Sequence, residues 1–212
     1  MNLLQHALDL FLHLDVHLAA IIEQFGFFTY LILFITIFCE TGLVFTPFLP
    51  GDSLLFAAGA FAARGSLNPF FLTLLLGAAA ILGDSCNYWF GGLLGRRVFK
   101  EHRKILSLEN LRATEEFYKR HGSKAVIFAR FLPMLRTIVP FVAGVAKMPY
   151  HVFFFYNVVG GAVWVLLFVW GGYFFGTIPA VEKNFSLVIL AIIVVSLLPA
   201  AVHAIRHWWK RR

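Results

Sequence analysis

The sequence predicts an all-α membrane protein. Two oppositely facing re-entrant helical hairpins and about three spanning helices form an inverted repeat behind an amphipathic N-terminal helix. Three observations lead there. The 212 residues are 60% hydrophobic and 14% charged, where a soluble domain carries roughly 25% charge. The apolar runs are broken twice by proline next to charged residues. The basic residues are confined: none occurs in residues 1–63, whereas Arg96, Arg97, Lys100, Arg103, Lys104, Arg112, Lys119, Arg120 and Lys124 crowd into 96–124.

Residues 1–24 carry Gln5, His6, Asp9, His13 and His17 at spacings of three and four opposite a Leu-, Ala- and Ile-rich face, as in a helix lying at a membrane surface. His13 and His17 have the spacing of metal ligands on one face. A wet polar stripe is the better account of a lone histidine pair, so neither a metal nor a cofactor is expected. With no basic n-region or small-residue cleavage site near the start, no removed signal peptide is expected. Residues 25–207 read as one membrane domain. Its first segment, 27–64, contains FFTYLILFITIFCETGLVFTPFL, then Pro47 and Pro50-Gly51-Asp52, then SLLFAAGAFAA. The second apolar run is too short to cross at ~1.5 Å per residue. A chain that enters, breaks at Pro-Gly and leaves again is a re-entrant hairpin. Broken backbone at that depth survives only within protein or beside a wet cavity.

Residues 69–95 read as a spanning helix, with Gly91 and Gly95 at GxxxG spacing and Asp84 and Tyr88 inside it. Residues 96–124 read as basic cytoplasmic helices gripping anionic headgroups. Residues 125–149 repeat the irregularity, with Arg130 and Arg136 set among Pro133, Pro140 and Gly144: a second re-entrant hairpin. Spans over 152–176 and 185–205 follow. The first contains Asn157, Gly160, Gly161 and a second GxxxG at Gly172 and Gly176. The chain ends in a basic tail at 206–212, beside Trp208 and Trp209. Basic residues mark the cytoplasmic side, which puts the C-terminus inside and the N-terminus outside. Because these basic blocks flank apolar spans, nucleic acid is not an expected partner. The GxxxG pairs permit a homodimer and serve internal packing equally well. Cys39 and Cys86 stand alone in apolar stretches and read as buried free thiols.

Glu40, Asp52, Asp84, Arg130 and Arg136 are charges in apolar surroundings. Each costs roughly 2.5–3.5 kcal/mol at mid-bilayer, so they are expected to pair or to face a wet chamber. Arginine suits a lipid phosphate, because its planar fork meets two oxygens and stays charged. Carboxyls held away from water can exchange protons near neutral pH. Simpler roles exist for some: Asp52 as a helix cap, Asp84 as a structural partner of an arginine, Arg130 as a snorkelling interfacial residue, and Tyr88 and Asn157 as helix–helix glue.

The stretches FCETGLVFTPFLPGDSLLFAAG, GDSCNYWFGGLLGRR and FARFLPMLRTIVPFVAGVAKMPYHVFFFYNVVGGAVWV strongly resemble the DedA family of bacterial inner-membrane proteins, also called SNARE-associated Golgi or VTT-domain proteins. The likeness runs over about residues 3–207. It implies lipid transport across the bilayer, of undecaprenyl phosphate in some members and of phospholipids in others. In some members it implies a link to the proton-motive force. The family's essential acidic residues fall on Glu40 and Asp52, and its essential arginines on Arg130 and Arg136. Pro47, Pro50, Gly51, Pro133 and Pro140 shape the hairpins, with Asp84, Asn157 and Tyr88 in support. The expected partners are membrane lipids, through a phosphate headgroup, together with protons. A proton-coupled exporter of small cations or drugs would use the same residues as a relay. An enzyme is not expected: no GxSxG, HExxH or phosphatase signature is present, and His121 and His151 lack obvious partners. A purely structural role does not explain the insertion cost of the charges.

Overall fold

The computed structural model describes residues 14–43, 51–95, 114–116, 118, 120–192 and 194–195, apart from the side chains of residues 14, 15, 17, 133 and 134. Every regular element among them is helical. They are α1 (Leu14–Phe25), α2 (Phe28–Gly42), α3 (Gly51–Ala63), α4 (Pro69–Leu94), a 3-10 turn at Gly122–Lys124, α5 (Ala125–Ala129), α6 (Pro133–Val145), α7 (Tyr150–Phe175) and α8 (Pro179–Lys183). Residues 185–192 are also helical. Pro47, Pro50, the polar positions Gln5 to His13, the His17 side chain, the basic run 96–113 and the segment 196–212 lie outside the described residues.

α4 and α7 contain 26 residues each and are long and apolar enough to cross a membrane. At 1.5 Å per residue each measures about 39 Å, more than the ~30 Å hydrocarbon core. Both expose large apolar side chains along their length: Phe70, Leu74, Leu82, Phe90 and Leu93 on α4, and Phe155, Leu167 and Phe174 on α7. Water would not tolerate that much contiguous apolar surface. Acyl chains would. The start of α4 is fixed locally. Asn68 Oδ1 accepts from the Phe71 N–H at 3.0 Å while Pro69 takes the first helical position, an arrangement that satisfies an orphan donor and presets φ.

α3 and α6 contain 13 residues each, about 20 Å, too short to cross. α3 is buried from Ser53 to Ala62, as an apolar helix must be when no face can meet water. Asp52 lies in its first turn, where a carboxylate complements the helix dipole. α6 starts at an extended Leu132 with Pro133 in the first turn, and Pro140 lies inside it.

The two short helices end alike. After α3, Gly65 takes φ +84° and the Ser66 N–H reaches the Phe61 carbonyl at 3.1 Å. After α6, Lys147 takes φ +54° and the Met148 N–H reaches the Ala143 carbonyl at 3.0 Å. Both are Schellman closures. A proline and a 26-residue helix follow each. The pattern of short buried helix, left-handed turn, proline and long apolar helix therefore occurs twice in one chain.

The chain divides into two compact units, residues 1–34, 50–76 and 165–212, and residues 35–49 and 77–164. In the first unit α3 packs on the end of α7. A Cβ at Gly172 would fall on the Phe56 carbonyl oxygen, and one at Gly59 on that of Val169. In the second unit α6 packs on the end of α4 in the same manner. A Cβ at Gly91 would fall on the Phe141 carbonyl, and one at Gly144 on that of Tyr88. Gly91 and Gly172 are thus both committed to packing within the chain.

Candidate functional site: two buried ion pairs beside one tryptophan

Four of the five charged residues singled out above lie in the second unit. Glu40 is in the last turn of α2 and Arg136 in the first turn of α6. Arg136 Nη2 donates to Glu40 Oε1 at 2.7 Å, and both side chains are at most 3% exposed. Each residue sits at the end of its helix that the dipole disfavours: a carboxylate near a C-terminus and a cation near an N-terminus. Local helix energetics therefore do not select either one. Each compensates the other.

Arg130 caps the C-terminal end of α5, which the dipole favours. Its Nη2 forms an ion pair with Asp84 Oδ2 of α4 and donates to the Ala80 carbonyl and to Asn157 Oδ1, each at 3.2 Å. Asn157 Nδ2 in turn donates to the Ile81 carbonyl at 3.0 Å. Asn157 thus joins the arginine to the α4 backbone. Arg130 is buried rather than snorkelling to an interface.

Both guanidiniums lie against one ring. The Trp164 centroid is 5.6 Å from the Arg130 Cζ and 4.9 Å from the Arg136 Cζ, and Trp164 is fully buried. The negative π face helps to hold cations that have left water. Two adjacent arginines, two carboxylates and a shared aromatic wall make up the centre. Several polar atoms around it have no hydrogen-bond partner among the described residues: Asp84 Oδ1, Arg130 Nη1, Asn87 Oδ1 and Thr137 Oγ1. Two can donate and three can accept, the hydroxyl doing either.

The other expected residues take different places. Asp52 belongs to the first unit, half-buried in the first turn of α3. Tyr88 donates to the Met148 carbonyl and stacks on Phe153 at 4.6 Å, which makes it part of the packing rather than of the ion pairs. Pro140 has no N–H for the Arg136 carbonyl and loosens that turn of α6. Pro133 supplies the start of the same helix.

Three participants were not singled out from the sequence: Trp164, Asn87 and Thr137. Asn87 stands one helical turn after Asp84 in GDSCNYW, so the two share a face, and that spacing was the available signal. Trp164 lies in a Gly- and Trp-containing span, and nothing local distinguishes it from a lipid-facing aromatic.

Residues 49–174 of the chain match the VTT domain. This region includes Asp52, Asp84, Arg130, Arg136 and Trp164, and Glu40 precedes it. Protein DedA of Escherichia coli (strain K12) is 50% identical over 210 residues, which cover 98% of this chain and 96% of that protein. An uncharacterized membrane protein of Mycobacterium tuberculosis (strain H37Rv) is 41% identical over 182 residues, 84% of this chain and 79% of the relative. Inner membrane protein YghB of Escherichia coli (strain K12) is 34% identical over 191 residues, 89% of this chain and 84% of the relative. No solved structure matches the chain. With the VTT domain matched over residues 49–174 and half of the aligned residues identical to Protein DedA along nearly its whole length, the chain belongs to the DedA family of membrane proteins.

Proposed function

We propose that the protein moves a phosphate-bearing lipid, such as undecaprenyl phosphate or a phospholipid, across the bacterial inner membrane. The observation that carries this reading is the pair of buried arginines beside Trp164, each held by a carboxylate. A buried guanidinium cannot be left alone without a cost of several kcal/mol, so it exchanges one anion for another. A lipid phosphate is the anion whose geometry meets an arginine fork. Glu40 and Asp84 hold the arginines between turnovers. Protonation of either carboxyl releases its partner to the phosphate and couples transport to protons.

In this reading α2 with α3, and α5 with α6, form two re-entrant hairpins of opposite orientation. The repeated order of short helix, left-handed turn and long helix supports an inverted repeat, the architecture in which broken helices line a midplane site. The basic clusters support a cytoplasmic C-terminus and an outside N-terminus. Asp52, at the start of α3, belongs to the hairpin that faces the other side. The name of the relative YghB supports the inner membrane as the location.

The test is reconstitution. Purified protein in liposomes accelerates crossing of labelled polyprenyl phosphate or phospholipid, and Arg136→Ala removes the acceleration. Wild-type protein that accelerates no phosphate-bearing lipid overturns the proposal. Proton flux evoked by a cation or drug, without lipid movement, replaces it with the exporter reading.

A further inference from the structure

We propose that Asn87 is the positioning residue of the Glu40–Arg136 pair. One amide nitrogen holds two separate pieces of backbone. Asn87 Nδ2 donates to the Thr41 carbonyl at 3.2 Å and to the Thr137 carbonyl at 2.7 Å. Thr41 follows Glu40 in the chain, and Thr137 follows Arg136. The amide therefore fastens the peptide carbonyls next to both members of the ion pair, from a third element, α4.

The surroundings explain why a fastener is needed there. Thr41 is in the last turn of α2, where carbonyls have no partner within the helix. Thr137 is in the turn of α6 that Pro140 loosens. Close approach of α2 to α4 makes the contact geometrically accessible: a Cβ at Gly83 would fall on Thr41 Oγ1, and one at Gly42 would lie 3.3 Å from the Gly83 backbone. Asn87 is fully buried, and its Oδ1 has no hydrogen-bond partner among the described residues. A residue present only to fill space would be apolar here, because a buried amide with one half unsatisfied is a net penalty. The donor half is what the site uses.

This inference rests on the proposed transport reading for its consequence, but its geometry can be tested separately. The probe of geometry is Trp164, whose ring lies 4.9 Å from the Arg136 Cζ. In a chain with Trp89, Trp170, Trp208 and Trp209 changed to Phe, Trp164 is the sole tryptophan. Asn87→Asp and Asn87→Ala are then expected to change its emission maximum and intensity as Arg136 moves on the ring. The probe of consequence is transport of labelled polyprenyl phosphate in liposomes. Displacement of a reacting group by an ångström can cost up to about a hundredfold in rate, so both variants are expected to lower the maximal rate roughly tenfold or more.

The order of the variants separates fastening from packing. The side chain introduced by N87D has the shape of asparagine but, when ionised, puts a lone-pair oxygen in place of the nitrogen that donated to both carbonyls. In that state it is at least as damaging as N87A. On acidification its carboxyl gains a proton and donates to one carbonyl again. The N87D rate, taken relative to wild type at the same pH, therefore recovers as pH falls, and the N87A rate does not. Thermal unfolding of both variants in detergent monitors folding. Unchanged Trp164 emission in both variants overturns the inference, and so does an N87D rate, relative to wild type at the same pH, that does not rise as pH falls from alkaline to acidic. Wild-type protein without transport overturns the proposed function instead and leaves the Trp164 emission to decide the fastening.

Discussion

The two compact units use the same packing device around different contents. In one, a short helix presses its backbone on a long helix through Gly172 and Gly59. In the other, a short helix does so through Gly91 and Gly144. What they bury differs. α3 is apolar from Leu54 to Ala62, whereas α6 carries Arg136 and Thr137 into the interior. Their ion pairs differ as well. In the first unit Arg64 meets Glu182 at 3.2 Å with side chains 35% and 55% exposed, whereas Arg136 and Glu40 are closed off from solvent. The close helix contact is common to both units, whereas the buried ion pairs among the described residues lie in the second. Glycine contacts on carbonyls are explained by close packing, whereas charge at the disfavoured ends of helices is explained by neither packing nor the helix dipole.

The largest expected effect contrasts the two ion pairs. Arg136→Ala leaves Glu40 buried without its counter-charge and is expected to cost about 3–5 kcal/mol. Arg64→Ala removes an exposed pair and is expected to cost at most about 1 kcal/mol. Denaturant titration of both variants in lipid–detergent micelles measures the difference. The replacement of both Glu40 and Arg136 by Gln is expected to cost less than Arg136→Ala, since no lone charge remains. Equal costs for Arg64→Ala and Arg136→Ala would erase the distinction between the units.

The shared device gives the next effect. Gly91→Leu and Gly172→Leu each drive a side chain into a carbonyl of the opposing short helix. Overpacking of this kind costs about 1–3 kcal/mol or more, and the two losses are expected to match. A large loss at one site only would show that the resemblance of the contacts does not extend to their energetics.

The turns differ more finely. Gly65 and Lys147 occupy the same left-handed closing position, where a side chain costs roughly 1–2 kcal/mol. Lys147 is exposed and tolerates the strain at the surface. Lys147→Gly is expected to raise stability by about 1 kcal/mol and Gly65→Lys to lower it by a similar amount, both read by thermal unfolding.

These contrasts also define what could be read from the sequence. The long helices were legible as apolar runs over 69–95 and 152–176, within about two residues of the observed Pro69–Leu94 and Tyr150–Phe175. That charges in such runs need partners was legible too, from the cost of burying them. Which carboxylate meets which arginine was not. Glu40 and Arg136 are 96 residues apart, and only the meeting of α2 with α6 selects that pair over Arg130 with Glu40. Trp164 and Asn87 escaped for a related reason. A tryptophan or an asparagine in a span costs little by itself, so neither is marked by the penalty that exposes a buried charge. Their importance lies in what they touch.

Asp52 gives the smallest expected effect on stability and the clearest division between scaffold and function. At the start of α3 it obeys the helix dipole, whereas Glu40 and Arg136 both violate it. If it serves only the helix, Asp52→Asn loses about 0.3–1 kcal/mol and transport falls no more than folding does. Under the proposed function the carboxylate is also the charge that the first short helix presents to the passing headgroup or proton. Asp52→Asn is then expected to unfold within about 1 kcal/mol of wild type while lipid transport in liposomes drops roughly tenfold. One pair of measurements on one purified variant separates these accounts, because a neutral amide of the same shape keeps the packing and removes only the charge. Transport that stays at the wild-type rate would return Asp52 to the scaffold and confine the working charges to the second unit.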